Sequence, residues 1–125
     1  HSDTLRAKDI EPILFMSWPY KNTPKMQVAL EKAFFDAATT NRIRLIPAGP
    51  AFFYVNQNFP EINLYTNDNR HPSPAGTYLA TLMVFTTLTD KSPIGNSYTM
   101  GLDEDAAKTL QEVAWLTHQN FQQKN

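Results

Sequence analysis

The chain has no cysteine, which excludes disulfides, thiolate metal sites and cysteine nucleophiles together. That absence leaves the redox compartment open, since secreted proteins also do without cysteine. Neither sign of charge is in excess. Eleven basic and twelve acidic residues give a net charge of −1, too even a balance to leave an electrostatic footprint for DNA or RNA. No apolar run is long enough to span a bilayer. No signal peptide opens the sequence, and the start His1-Ser2-Asp3 lacks an initiator Met; processing, an expression remnant or a cut each produce such a beginning. Internal repeats and low-complexity segments are missing as well. What is present is 125 residues of 14.2 kDa, 42% apolar and 18% charged. That is a globular balance at a length suited to one domain, which can bury about two-thirds of its unfolded surface.

The first ten residues are polar and without period, and read as a lead-in. Pro12-Ile13-Leu14-Phe15-Met16-Ser17 is a short continuous apolar run, the pattern of a strand buried on both faces of a parallel sheet. After the loop from Trp18 to Asn22, Thr23 is placed to cap a helix with Pro24 as its first residue. Met26, Leu30, Ala33, Phe34 and Ala37 then recur at helical spacing, fading at Thr39-Thr40-Asn41. A second apolar run, Ile43-Arg44-Leu45-Ile46, ends at Pro47-Ala48-Gly49-Pro50. Strand, helix and strand make a βαβ unit, whose crossover is right-handed. Residues 49–72 read as a long connection rich in aromatics, leaving the carboxyl end of the second strand, where open α/β sheets place their ligands.

Ser73 and Pro74 begin a further helix, Ser as cap and Pro at the first position, running to about Leu88. Its Tyr78, Leu79, Leu82, Met83 and Phe85 spread over much of the circumference, so it should be mostly buried. Gly76 in its first turn costs up to about 1 kcal/mol against Ala unless close packing needs the missing side chain. Asp103 caps a last helix with Ala106, Leu110, Val113, Ala114 and Trp115 on its apolar face, and Gln119–Asn125 should fray. His118 has polar sequence neighbours and reads as a solvated surface residue. Two buried-type strands do not make a stable parallel sheet, because faces and edges need partners. The sequence therefore reads as the last portion of a doubly wound α/β domain, its fold incomplete in this chain.

Chemistry concentrates in Asn67-Asp68-Asn69-Arg70-His71-Pro72-Ser73. An Asp three residues before a His is a weak motif alone. Here it follows a turn-forming Asn-Asp-Asn and immediately precedes a capped helix. A carboxylate on one ring nitrogen fixes the imidazole tautomer and leaves the other nitrogen free as a base, as an acyl-transfer triad requires.

This stretch closely resembles the last block of the SGNH hydrolases, the GDSL-type esterases and lipases, in which Asp-x-x-His supplies two triad members. Ile13–Trp18 looks like the family's penultimate core strand, Ile43–Ala48 like its last, and Tyr78–Leu88 like its final helix. The resemblance implies a three-layer α/β/α, flavodoxin-like fold with a parallel sheet. Residues 1–10 would be a lead-in, 11–92 the family-like βαβα portion, and 93–125 a C-terminal helix and tail. It implies ester hydrolysis without metal or organic cofactor, His71 as general base and Asp68 as its orienting partner.

The departure from the family lies in the nucleophile. No Gly-Asp-Ser motif occurs, nor the Gly and Gly-x-Asn-Asp blocks that complete an oxyanion hole. Ser2, Ser17, Ser92 and Ser97 show no strand-to-helix elbow, and Ser73 fits better as a cap. The resemblance thus implies a partner, an N-terminal part of the same hydrolase carrying Gly-Asp-Ser, or a second copy, together with an ester substrate. Of another class is an inactive fragment or interaction module that dimerises through exposed sheet edges. Trp18 and Tyr20 are candidates for lining an acyl or alcohol pocket, and Phe52 with Phe53 and Tyr54 for flooring a substrate groove, with core or rim packing the competing role. A metal site from Asp68, His71 and Asp3 or Asp90 has no recognisable ligand spacing.

Overall fold

Seven elements build the chain in a computed structural model that describes residues 1–124, with side chains through Gln122. They are α1 (Ser2–Arg6), β1 (Ile13–Phe15), α2 (Met26–Asn41), β2 (Arg44–Ile46), α3 (Ala48–Asn58), α4 (Pro74–Thr89) and α5 (Glu104–Lys124). The class is α/β, with one two-stranded parallel sheet in which Ile13 pairs with Arg44, Leu14 with Leu45 and Phe15 with Ile46. Among the described residues no helix is long and apolar enough to cross a membrane.

β1 is half-buried and its last residue, Phe15, is 38% exposed. The expected burial on both faces is not met, and among the described residues β2 is the one strand that pairs with it. The polar lead-in contains α1, whose Arg6 guanidinium donates to the carbonyls of Asn41, the last residue of α2, and of Arg42 after it. Helix α2 starts two residues later than its sequence suggests. Thr23 makes a turn through its carbonyl, which accepts from Met26 N at 3.1 Å, and its side chain caps nothing. Ala38 is buried and Leu30 and Phe34 are half-buried, but Ala33 is exposed and Val28 is 76% exposed.

The principal difference from the sequence reading is α3. Residues 48–58, expected within a long connection, form a helix whose Ala48, Ala51, Phe52 and Val55 are buried at one-turn spacing. Pro50 does not oppose it, because proline in the first turn forfeits only an N–H that lacks an intrahelical acceptor. Gly49 is required there: a Cβ would stand 2.3 Å from the Ser17 carbonyl oxygen. This close approach seats α3 on the carboxyl end of β1.

Helices α4 and α5 complete the core, and both begin as the sequence predicts. Ser73 Oγ accepts from Gly76 N at 3.2 Å with Pro74 following it. Asp103 Oδ2 accepts from Ala106 N at 3.2 Å. Tyr78, Leu79, Leu82 and Met83 of α4 pack with Leu110, Val113 and Ala114 of α5 and with Phe52 and Val55 of α3. Phe85, grouped with the buried face by its sequence, is exposed. The end of α5 does not fray as expected; it stays helical to Lys124 and buries Phe121, while Asn125 lies outside the described residues. Its His118 is 5% exposed and not solvated. Its Nε2 meets Asp90 Oδ1 at 2.7 Å, and Gln122 Nε2 donates to the same oxygen at 3.0 Å. Asp90 closes α4 in a left-handed conformation (φ 55°), so this contact fastens the ends of α4 and α5 together.

Candidate active site

Asp68 and His71 lie in a short hairpin at the carboxyl end of β1. The hairpin is closed by an antiparallel bridge between Tyr65 and Pro72, with Thr66 N donating to His71 O at 2.8 Å. Ser73 N donates to Leu64 O at 2.9 Å and Ser73 Oγ to Asn63 O at 2.7 Å, so the cap of α4 also anchors the hairpin's base. At its tip Asn69 adopts φ 59°, a left-handed conformation that asparagine tolerates better than most residues.

Within the turn Asp68 is fully engaged. Its Oδ1 accepts from Thr66 Oγ1 at 2.8 Å and from the backbone N–H groups of Arg70 and His71, each at 2.9 Å. Its Oδ2 meets His71 Nδ1. The His71 ring holds the Asp68 carboxyl well below the usual carboxylate range, helped by the backbone N–H of His71, that of Arg70, and the Thr66 hydroxyl. A nitrogen bonded to an ionised carboxylate carries the proton. Nδ1 is therefore N–H and Nε2 holds the lone pair, the tautomer a general base needs. The His71 side chain is 78% exposed, and Nε2 has no partner among the described residues.

The lowered Asp68 value also bears on stability. Its contribution is complete above the unfolded carboxylate value of about 3.9 and is lost as pH falls from there through the folded value. The unfolding free energy of Asp68→Ala is therefore expected to lose the part of the wild-type decline below about pH 4 that Asp68 supplies. Urea titrations at a series of acidic pH values measure this, and parallel curves would contradict it.

Three long-range bonds stitch the hairpin to residues 18–21. Trp18 Nε1 donates to Arg70 O at 2.9 Å, Lys21 N to Asn69 O at 3.0 Å, and Tyr65 Oη to Pro19 O at 2.7 Å. Tyr65 Oη also accepts from Asn56 Nδ2 of α3 at 2.9 Å. Tyr65 is 1% exposed, and burial raises its phenol pKa against the lowering effect of Asn56. Tyr65→Phe strands the Pro19 carbonyl and an Asn56 N–H, so it should cost about 1–3 kcal/mol by chemical denaturation. A loss under about 0.5 kcal/mol would show that water replaces the hydroxyl.

The structure brings Asp68 and His71 together, places Phe52 in the core, and leaves Trp18 and Tyr20 against the hairpin, Tyr20 also lining a small cleft. Phe52 is 0% exposed. Its helix turns it into the core, where Trp18 stacks on it at 4.2 Å and Tyr65 meets it edge-on at 5.9 Å. Trp18 is half-buried and spends its indole N–H on Arg70 O, and Tyr20 is exposed beneath the Arg70 guanidinium. Both support the hairpin. Sequence reading missed Thr66, Tyr65 and Asn56. Thr66 carried a local signal, a hydroxyl two residues before the Asp of a turn, whereas the Tyr65–Asn56 contact joins separate elements.

Serine is not found beside the base. Ser73 Oγ is taken by Gly76 N and Asn63 O, Ser92 Oγ accepts from Ile94 N, and no serine bonds to His71 among the described residues. Two clefts open elsewhere, and neither is lined by Asp68 or His71. The larger, of about 940 Å³, lies among α2, β2 and the ends of α4 and α5, with Phe35, Ile43, Leu45 and His118 on its walls. The smaller, of about 170 Å³, lies around Pro19, Tyr20, Lys21 and Asn56, so Tyr20 of the pocket candidates does line a cleft. Among the described residues no group of three or more His, Asp or Glu is placed to hold a metal. No family model, curated protein or solved structure matches the chain.

Proposed function

We propose that this chain is the C-terminal part of a serine ester hydrolase of the SGNH type, a three-layer α/β/α enzyme. It contributes the base His71 and its orienting partner Asp68. The observation that carries the reading is the Asp68–His71 contact, with Nδ1 tied to an ionised carboxylate and Nε2 open at the carboxyl end of a parallel strand. The nucleophilic serine and the oxyanion donors come from outside these residues. That serine attacks the ester carbonyl while His71 Nε2 takes its proton, and His71 then protonates the leaving alkoxide. Asp68 stabilises the imidazolium meanwhile. Water activated by His71 releases the acid and restores the serine.

The test is hydrolysis of 4-nitrophenyl acetate by the complete protein, followed by treatment with a serine-directed phosphonate and mass spectrometry. Loss of activity with the adduct on a Gly-Asp-Ser peptide is the expected result. Hydrolysis that the phosphonate leaves untouched would overturn the reading.

The bare edge of β1 and exposed Phe15 favour a second reading, an inactive fragment that pairs with a second copy through its sheet edges. Protein that hydrolyses no ester and sediments as a dimer would favour it.

A further inference from the structure

The side chain between Asp68 and His71 that faces solvent is Arg70, and the hairpin has no structural use for its charge. The residue's backbone does the local work: its N–H donates to Asp68 Oδ1 and its carbonyl accepts from Trp18 Nε1. The guanidinium has no carboxylate partner among the described residues. Asp68, two residues away, is saturated by Thr66, two backbone N–H groups and the His71 ring. Instead the Arg70 guanidinium carbon sits 4.8 Å from the centre of the Tyr20 ring. Such a contact steadies a cation without neutralising it.

A second cation, Lys21, follows Tyr20 in the chain. Lys21 is bonded through its backbone to the hairpin tip, and its Nζ donates to the neutral amide oxygen of Asn63 at 3.0 Å. A chain of net charge −1 thus carries two cations, one on the hairpin that holds the exposed base and one bonded to its tip, neither in an ion pair among the described residues. A guanidinium held in place is an efficient oxyanion receptor, because its planar fork matches carboxylate or phosphate and little freedom remains to be lost.

We propose that Arg70, steadied by Tyr20 and reinforced by Lys21, is the anion subsite of this centre. The esters hydrolysed there carry a carboxylate or phosphate close to the scissile bond. The substrate statement rests on the reading of His71 as base; the anion site does not.

Three acetate esters test it on the complete protein: 4-acetoxybenzoate, its methyl ester, which lacks the charge, and 4-acetoxyphenyl phosphate. The wild type should prefer a charged ester over the methyl ester, with the better of the two anions identifying carboxylate or phosphate as the natural group. In Arg70→Gln the ratio of kcat/KM values, charged over methyl ester, should fall about tenfold through KM. Arg70→Lys, which keeps the charge, should restore part of it. A ratio within twofold of wild type in Arg70→Gln overturns the proposal. Binding is read separately from the indole N–H resonance of Trp18, which is bonded to the Arg70 carbonyl, during titration with 4-hydroxybenzoate and with phenyl phosphate. Should none of the esters be cleaved, a saturable shift that is abolished by Arg70→Gln upholds the anion site while the hydrolase reading falls. A titration indifferent to Arg70→Gln rejects the site.

Discussion

On the proposed reading of His71 as base, His71→Ala in the complete protein is expected to lower kcat by about 10³-fold or more, with the fold undisturbed because the ring is exposed and among the described residues bonded only to Asp68. Asp68→Asn should be nearly as damaging, for a reason the geometry makes explicit. The amide keeps an oxygen for the three donors that Oδ1 now receives, so the turn survives. In place of Oδ2, however, it presents an N–H₂ group to the ring. Nδ1 must then accept, the proton moves to Nε2, and the nitrogen facing the substrate is no longer a base. Steady-state kinetics with circular dichroism separate loss of chemistry from loss of fold. An alanine variant with kcat within a few-fold of wild type would remove His71 from the mechanism.

Gly76→Ala should be the most damaging single methyl group that can be added near the site. Its Cβ would lie 2.2 Å from the Leu64 carbonyl oxygen and 3.1 Å from the carbonyl carbon, with Pro72 Cβ at 3.0 Å. Backbone faces backbone there, so no side chain can swing away. Alanine gains up to about 1 kcal/mol in helix propensity, but relieving the overlap means lifting α4 off the base of the hairpin. A net loss of about 2–3 kcal/mol in urea unfolding is expected. The Ser73 N to Leu64 O bond lies on the same contact, so activity should fall even where the variant folds. An unchanged urea midpoint would mean that the two segments separate without cost.

Features set by neighbours along the chain could be read from sequence. Ser73-Pro74 and Asp103 announce their helices because a cap needs only the next three residues. The Asp68–His71 contact was readable for the same reason, since a turn brings i and i+3 together. The parallel strand pair followed from two apolar runs separated by a helix. Helix α3 escaped notice because Pro47, Gly49 and Pro50 look like breakers, although Ala48, Ala51, Phe52 and Val55 held the helical period throughout. His118 misled for the opposite reason. Its sequence neighbours are polar, but Asp90 lies 28 positions away, beyond any local pattern. Phe52 was grouped with possible pocket aromatics because composition tells that a side chain is apolar, while only the helix turns it toward Trp18 and Tyr65.

The distribution of the core along the chain sets an order of resistance to opening. Every residue of the buried cluster comes from Ile46 to Ala114, while Ile13 and Trp18 pack against it from outside and are half-buried. β1 and α2 form an arm that should open at a lower free energy than α3, α4 and α5, and exchange its amide hydrogens first. The seam between arm and core runs through the stitches from Trp18, Pro19 and Lys21 to the hairpin. Opening of the arm would therefore free the tip of the hairpin while leaving the Asp68–His71 turn, which is closed within four residues, intact.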